Sequence, residues 1–312
     1  MIAFPRKAFQ ASLRRTVNEL LDFGHVGVRA PKVRDVILRY LERPAGFLRP
    51  RLLFASARAH APEEKHPLET VMDLAVATEL LHVGALLHDD LVDEYDAAPS
   101  LVFAGDLLFS AGFGLVGESA LRTPDPAGII STVRRAAAVT VVGQGEDLGF
   151  RRDLQHNRAD TSLYELYDRK TGAYTATTPL VVGALAVATH PPDRPTLEQL
   201  GALVGRAYQL RDDVADLVAL SDGERSATPW ELNLAAAWLA KEGLSVPEDD
   251  GLLLARLKQH PLESWARNEV DRLLTQAIGV VDASWPPQTA GYLRDEIASL
   301  RGTAARPESR VR

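Results

Sequence analysis

The hydrophobic positions of this chain follow helical spacing along almost its whole length. Apolar side chains recur three or four residues apart, for example at Leu74, Ala77, Leu81 and Ala85, which is the period of a helix with one buried face. Alternating apolar and polar runs bounded by turns, which are typical of strands, are scarce. The pattern predicts an all-α protein, with helices at about residues 8–21, 32–41, 51–61, 68–95, 100–119, 128–155, 161–188, 196–220, 229–241, 250–259, 262–278 and 287–301.

Clusters of proline, glycine and aspartate interrupt this pattern at residues 122–128, 190–195, 246–251 and 284–287, as expected of connections between helices. The sequence contains no internal repeat and no linker of the kind that separates domains. We therefore expect a single all-α domain at residues 1–301, followed by a disordered tail at 302–312.

The charge balance and the absence of cysteine exclude several classes of protein. The 42 acidic residues outnumber the 35 basic ones, for a net charge of −7. This balance argues against a general nucleic-acid binder, because affinity for the phosphate backbone needs a local surplus of cations. With no cysteine, the chain has no disulfide framework, no thiolate metal site and no cysteine nucleophile.

The apolar segments do not predict export or insertion into a membrane. The N-terminus lacks the continuous apolar stretch of a signal peptide. The longest apolar run, Pro179–Thr189, is too short and too rich in glycine and alanine to span a bilayer. We therefore expect a soluble cytoplasmic protein without a transmembrane segment.

Two segments repeat one acidic pattern, in which three aspartates follow a long apolar helix: Asp89, Asp90 and Asp93, then Asp212, Asp213 and Asp216. The first and third aspartates of each cluster lie within about 40° on one helix face. Such like charges near a helix C-terminus destabilise it. A hard divalent cation such as Mg²⁺, which bridges carboxylates to substrate phosphates, would compensate. A pair of clusters therefore predicts a diphosphate site, although one cluster alone is more often a solvated acidic helix end.

Lys170 lies between the two acidic clusters and is one of only six lysines in the chain. A stretch of small residues and threonines follows it, which would let the helix bend and pack closely. The ammonium group of Lys170 is a candidate ligand for a diphosphate. The alternative is that Lys170 pairs with Asp168 or faces solvent.

These features, in this order, resemble the trans-isoprenyl diphosphate synthase (polyprenyl synthetase) family, of which the chain looks like a divergent member. The similarity runs from about Arg49 to the C-terminal helices and rests on five segments. They are Glu79-Leu-Leu-His82 with Asp89-Asp90-Leu-Val-Asp93, Gly105-Asp106-Leu-Leu-Phe109, Gly143-Gln144 with Asp147, Lys170-Thr171, and Tyr208-Gln209 with Asp212-Asp213-Val-Ala-Asp216.

The resemblance implies an isoprenoid synthase-type helical bundle around a deep apolar cavity, with the acidic clusters on opposite walls at its mouth, and a homodimer. It also implies that the two clusters hold Mg²⁺ on an allylic prenyl diphosphate. Lys170 would then help the metals to ionise the carbon–oxygen bond. Thr171 and Gln209 match family positions near the carbocation and the metal-bound diphosphate.

The sequence departs from the family where the second substrate, isopentenyl diphosphate, binds. The family's Gly-Gly-Lys-x-x-Arg-Pro element becomes Pro44-Ala45-Gly46-Phe47-Leu48-Arg49-Pro50, so that Gly46 stands in the place of the lysine. The connection after Asp93 is short and contains no basic residue, and the family's lysines after the second cluster are missing. Arg49 and His82 remain as a partial site for isopentenyl diphosphate.

Product length depends on the residues four and five positions before the first aspartate, where bulky aromatics block the cavity in this family. Ala85 and Gly84 occupy these positions, which favours a product of about C20 or longer. The alternative is that they only permit close helix packing.

The sequence leaves four functions open. The first is a prenyltransferase that elongates a prenyl diphosphate with isopentenyl diphosphate. The second is a non-elongating enzyme, similar to class I terpene synthases, that acts on one prenyl diphosphate. The others are a non-catalytic partner subunit of a prenyl synthase and a helical scaffold with acidic patches.

Overall fold

A computed structural model describes residues 4–23, 25–43, 45–61, 68–93, 98–156, 161–221, 232–257 and 261–302. Within these ranges every regular element is a helix, which confirms the all-α prediction. The helices are α1 (Arg6–Phe23), α2 (Val26–Arg29), α3 (Pro31–Leu41), α4 (Leu48–His60), α5 (Leu68–Asp93), α6 (Ser100–Ala120), α7 (Pro126–Gln155), α8 (Leu163–Tyr167), the π-helix π1 (Asp168–Thr177), α9 (Thr178–Leu185), α10 (Arg194–Ser221), α11 (Asn233–Lys241), α12 (Asp250–Leu257), α13 (Leu262–Ser284) and α14 (Pro287–Gly302).

The predicted helices correspond to observed ones, with two differences. The short helix α2 was not predicted, because its four residues are too few to show a period. The predicted helix at 161–188 divides into α8, π1 and α9. A capping box of Ser162 and Glu165 begins α8. The predicted ends at residues 95 and 259 and the predicted start at 229 lie outside the described residues.

The helices group into two compact units. Unit 1 holds the described residues up to Thr132 together with Pro179–Pro192, and unit 2 holds Val133–Thr178 and the described residues from Asp193 onward. The single domain at residues 1–301 stays a prediction. Gly302 is the last residue of α14, and the rest of the predicted tail lies outside the described residues.

Helix α5 is the central helix of unit 1, and α6 packs against it at very short range. Leu74, Leu80 and Leu87 of α5 are fully buried. A Cβ atom at Gly105 of α6 would lie 2.5 Å from the ring of His88, and one at Gly112 would lie 2.8 Å from the side chain of Leu81. Any larger residue at these glycines would push the helices apart, so the two glycines set the distance between α5 and α6.

In unit 2, π1 lies between α7 and α10 with its backbone in direct contact with both helices. A Cβ atom at Gly143 of α7 would overlap the backbone of Lys170. One at Gly205 of α10 would lie 2.5 Å from the Cα atom of Gly172. The close packing that the sequence predicted for this segment is therefore confirmed. Its bend takes the form of a π-helix, a geometry that occurs frequently at functional sites.

Two helices, α5 and α6, are long and apolar enough to span a membrane by length and composition alone. Polar residues interrupt both helices, so the prediction from uninterrupted apolar runs did not find these two candidate spans. The apolar window of α5 is 72% buried inside the protein and that of α6 is 33% buried. The burial of α5 is typical of a helix in the core of a protein. The outward face of α6 instead exposes Phe103 and Phe113.

Candidate functional site

The last turns of α5 carry the first acidic cluster and present its aspartates to different surroundings. Asp90 is buried, with 7% of its surface exposed, whereas Asp89 is partly exposed. Adjacent residues on a helix point about 100° apart, which explains the difference. Asp93 is the last residue of α5, and its side chain lies outside the described part of the chain.

Asp90 is anchored to the end of α3 by a tyrosine and an arginine. The Tyr40 hydroxyl donates a hydrogen bond to Asp90 Oδ2, and Arg43 Nη2 donates to the same oxygen at 3.1 Å. The Arg43 guanidinium also lies over the Tyr40 ring, 3.5 Å from its centroid. Burial, together with the neighbouring Asp90, raises the pKa of Tyr40, so the hydroxyl stays a donor. No sequence motif marked Tyr40 or Arg43.

The second acidic cluster, on α10, has an equivalent anchor. Asp213 Oδ2 accepts a hydrogen bond from the Tyr167 hydroxyl, and Asp213 Oδ1 accepts one from Gln209 Nε2 at 2.6 Å. The Gln209 carbonyl oxygen accepts in turn from the Thr171 hydroxyl. The structure therefore brings Thr171, Gln209 and Asp213 into one hydrogen-bonded chain, which ends at Tyr167 on α8.

The environment of Asp213 shifts its protonation. Burial raises the pKa of its carboxyl group to about 7, against the opposing effects of the Lys170 ammonium and of the bonds from Tyr167 and Gln209. Burial and Asp213 likewise raise the pKa of Tyr167 well above its ordinary value. The metal-free protein near neutral pH therefore holds Asp213 partly protonated, and a bound cation would favour the carboxylate.

Lys170 pairs with a carboxylate on the neighbouring helix α7. Its Nζ atom donates to Asp147 Oδ2, and Asn233 Nδ2 donates to Asp147 Oδ1 at 2.9 Å. Asp168 instead receives two bonds from the Arg206 guanidinium, at 2.7 and 2.5 Å. The alternative in which Lys170 pairs with Asp168 is therefore wrong. The sequence analysis noted Asp147 only as a family match and missed Asn233.

The two acidic clusters share one arrangement. In each, the second aspartate accepts a bond from a tyrosine hydroxyl. Asp90 is buried, whereas Asp89, Asp212, Asp213 and Asp216 are partly exposed. Asp212 Oδ1 lies 3.6 Å from Arg211 Nη2. Hydrogen bonding therefore holds the second aspartate of each cluster in place, and the first is partly exposed.

The donor chemistry of both clusters fits Mg²⁺. Among the described residues, no three acidic or histidine side chains come together as a complete metal cage. Mg²⁺ typically uses one or two protein carboxylates and completes its shell with substrate phosphates and water. Clusters with accessible carboxylates and no protein cage are therefore compatible with it.

Unit 1 also contains a small pocket between α5, α3 and the segment before α4. Arg43, Glu79 and His82 line it, with Phe47 and Leu86 among its apolar neighbours. Arg49 lies buried in α4, with 2% of its surface exposed. The pocket is on the side of α5 that carries Asp90, because residues 82, 86 and 90 follow helical spacing.

The residues expected to control product length lie on a different side of α5. A Cβ atom at Gly84 would lie 3.2 Å from the backbone oxygen of Gly105 and 3.4 Å from the Phe109 ring. Gly84 therefore lies at a close approach of α5 to α6, and its role in product length stays a prediction. Ala85 is partly exposed. Phe109 belongs to a segment that the sequence matched to the family, but no role was predicted for it; its ring lies beside Gly84.

The comparisons with known proteins agree with this arrangement. The polyprenyl synthetase family model matches residues 31–225, and the chain belongs to that family. It is 31% identical over 175 residues to a short chain isoprenyl diphosphate synthase of Methanothermobacter thermautotrophicus, covering 50% of each chain. It is 30% identical over 219 residues to a geranylgeranyl diphosphate synthase of Cereibacter sphaeroides, covering 65% of this chain and 71% of that one.

The match covers about half the length of the first of these curated relatives. Among solved structures, the geranylgeranyl pyrophosphate synthase of Lactobacillus brevis superimposes with a TM-score of 0.71 at 21% identity, over 94% of both chains. The enzyme of Corynebacterium glutamicum, complexed with isoprenyl diphosphate and magnesium, gives 0.67 at 19% identity, over 94% of this chain and 98% of that one. These similarities confirm the isoprenoid synthase-type fold.

Proposed function

We propose that the protein is a Mg²⁺-dependent prenyltransferase that ionises an allylic prenyl diphosphate and transfers the prenyl group to isopentenyl diphosphate. The observation that carries this proposal is the shared arrangement of the two acidic clusters, each with a tyrosine-anchored second aspartate and a partly exposed first aspartate. A solvated acidic helix end has no need of a buried anchor, whereas a metal site needs its ligands held in place.

The metal ligands in this proposal are the first and third aspartates of each cluster, namely Asp89, Asp93, Asp212 and Asp216. Asp90 and Asp213 are positioning residues, in contrast to the ligand role that the sequence predicted for them. Each cluster is proposed to bind magnesium that coordinates an allylic diphosphate. Magnesium bound there would act as a Lewis acid that draws negative charge onto the leaving diphosphate.

Lys170 and its neighbours complete the site for the leaving group. Its ammonium, held by Asp147, adds a fixed positive charge for the departing diphosphate. The hydroxyl of Thr171 and the amide of Gln209 are fixed by each other and by Asp213. Because these bonds hold their oxygens in a fixed orientation, Thr171 and Gln209 are proposed to stabilise the allylic cation.

A matched pair of variants tests the assignment of the aspartates. Asp89→Ala removes a proposed metal ligand, and we expect kcat to fall at least about 100-fold, because electrostatic stabilisation of the leaving group is lost. Tyr40→Phe removes only one bond to Asp90, and we expect a loss of about tenfold or less. Both rates are measured by diphosphate release at saturating Mg²⁺. Full activity of Asp89→Ala with an intact helical circular dichroism spectrum would contradict the metal assignment.

A second function is supported by the missing lysine at Gly46. Weak binding of isopentenyl diphosphate would leave an enzyme that ionises one prenyl diphosphate and cyclises, eliminates or hydrates it. Incubation with Mg²⁺ and farnesyl or geranylgeranyl diphosphate, with and without isopentenyl diphosphate, separates the possibilities. Longer diphosphates formed only with isopentenyl diphosphate support elongation. Diphosphate release without it supports the second function, and no turnover supports a non-catalytic partner subunit.

We further propose that the product is about C20 or longer, because Ala85 is small and partly exposed.

We also propose a homodimer formed through the outward face of α6, where Phe103 is 63% exposed and Phe113 is 41% exposed. Large exposed aromatic side chains on one helix face are typical of a protein interface. We expect the protein to work in the cytoplasm.

A further inference from the structure

We propose that Arg43 is the cation that binds the diphosphate of the second substrate, in the pocket of unit 1, in place of the lysine missing at Gly46. This inference rests on the proposed function, because it names a residue for the co-substrate of the same reaction. Arg43 lies outside the family motif, and only the tertiary structure identifies it.

The first argument is the unused hydrogen-bonding capacity of Arg43. Its side chain is 9% exposed and lines the pocket. One nitrogen, Nη2, bonds to Asp90. The other two, Nε and Nη1, are buried without a hydrogen-bond partner among the described residues. Buried donors of this kind are costly and uncommon, and a phosphate oxygen in the pocket would satisfy them.

The second argument is the chemistry of the guanidinium. Arginine presents its N–H donors in a rigid planar fork, which matches two oxygens of one phosphate. Stacking on the Tyr40 ring and the bond to Asp90 fix the plane of the Arg43 guanidinium. The group is therefore oriented before any ligand binds, and less side-chain entropy is lost on binding.

The third argument is the position of the pocket in the chain. The pocket includes Ala45 and Phe47, which flank Gly46 where the resemblance expects a lysine. His82, the other residue of the predicted isopentenyl diphosphate site, also lines it. Arg43 is three residues before Gly46, and it brings a positive charge to the same pocket from the end of α3.

The acidic, basic and histidine side chains that line the pocket are Arg43, Glu79 and His82, and Arg43 is paired with Asp90. Arg43 is therefore the permanent cation of this lining, and a diphosphate would meet its fixed donors. The competing interpretation is that Arg43 serves only to hold Asp90, and through it the first acidic cluster.

Steady-state kinetics with two variants separate these interpretations. For Arg43→Ala we expect the KM for isopentenyl diphosphate to rise about tenfold or more, because a charge-assisted contact is lost. We expect the KM for the allylic substrate and the Mg²⁺ requirement to change less than about twofold. Arg43→Lys keeps the charge and should recover part of the loss. Tyr40→Phe loosens Asp90 but keeps the guanidinium, so its KM for isopentenyl diphosphate should stay near that of the wild type.

An unchanged KM for isopentenyl diphosphate in Arg43→Ala would overturn the inference. The inference would also be overturned if the KM for the allylic substrate and the Mg²⁺ requirement rose as much as the KM for isopentenyl diphosphate. That result would indicate that Arg43 acts only by holding Asp90. If Arg43→Ala does not fold by circular dichroism, Arg43→Lys and Arg43→Gln carry the same comparison.

Direct binding keeps this inference distinct from the proposed function. Isothermal titration of isopentenyl diphosphate into the metal-free full-length protein should give binding that Arg43→Ala weakens about tenfold or more. Binding that depends on Arg43, without elongation, would retain the site and reject the proposed function. Elongation by the wild type, together with unchanged binding of isopentenyl diphosphate by Arg43→Ala, would reject the site and retain the proposed function. Absence of binding to the wild type would reject the site.

Discussion

At the scale of single residues, the two acidic clusters divide the work between neighbouring aspartates. Asp90 and Asp213 are each anchored by a tyrosine hydroxyl that comes from 50 and 46 residues away in the chain. The sequence assigned all three aspartates of a cluster to one metal site, with the first and third on one helix face. Hydrogen bonding separates the second from them, because adjacent positions on a helix point in different directions.

The raised pKa of Asp213 predicts a pH-dependent loss of stability in the metal-free protein. Its carboxyl titrates near pH 7 in the folded state and near 3.9 when unfolded. The stabilising contribution is fully present below the unfolded pKa and is lost as the pH rises through 7. We expect the melting temperature of the wild type, relative to Asp213→Asn, to fall between pH 5 and pH 8.

Thermal unfolding of both proteins in the presence of a chelator measures this difference. The asparagine variant is the control, because it keeps the size of the side chain and removes the titration. A constant difference between the two proteins across this pH range would contradict the assigned shift.

At the scale of helices, glycines determine where the functional side chains lie. Gly143 and Gly205 let α7 and α10 reach the backbone of π1, which carries Lys170 and Thr171. Because these two contacts involve backbone atoms, neighbouring side chains cannot relieve a clash by changing rotamer. Gly105 and Gly112 of α6 instead approach side chains of α5, His88 and Leu81.

Two glycines on α7 give a matched test of this packing. Gly143→Ala would clash with the backbone of Lys170, and we expect it to destabilise the protein by about 1–3 kcal/mol and to lower kcat. Gly145→Ala meets nothing within 4 Å and should be neutral, or stabilising by up to about 1 kcal/mol. Urea unfolding and turnover measure both effects. Equal stability of the two variants would show that the close approach carries no constraint.

Phe109 of α6 is expected to limit product length, because its ring fills the space beside Gly84. Phe109→Ala should shift the products towards longer chains, and Ala85→Phe should shift them towards shorter ones. Ser110→Ala, at an exposed position of the same helix, is the control and should leave chain length unchanged. Chromatography of the dephosphorylated products measures the distribution, and an unaltered distribution in Phe109→Ala would reject this role.

At the scale of the whole molecule, the fold is that of the polyprenyl synthetase family, and α6 has an outward face that the described residues leave exposed. Only 33% of its apolar window is buried. We expect a second copy of the chain to cover this face. A charge introduced there would then be buried in the interface without a partner, at high cost.

Phe103→Asp should therefore convert a dimer into monomers, as measured by size-exclusion chromatography with light scattering. Phe23→Asp is the control, because Phe23 is 90% exposed at the end of α1, away from α6 in sequence and on another helix. The same mass for the wild type and Phe103→Asp would reject this interface.

The sequence by itself determined the helical content, nearly all the helix positions and the family, because helical periodicity and short motifs are local properties. It also identified Lys170, Thr171 and Gln209, since each belongs to such a motif. Only the tertiary structure decided which aspartate of each cluster is anchored, and it alone identified Arg43 and Tyr40 and the contact of Phe109 with Gly84. These residues depend on contacts between helices far apart in the chain, and such contacts follow from packing rather than from any local pattern.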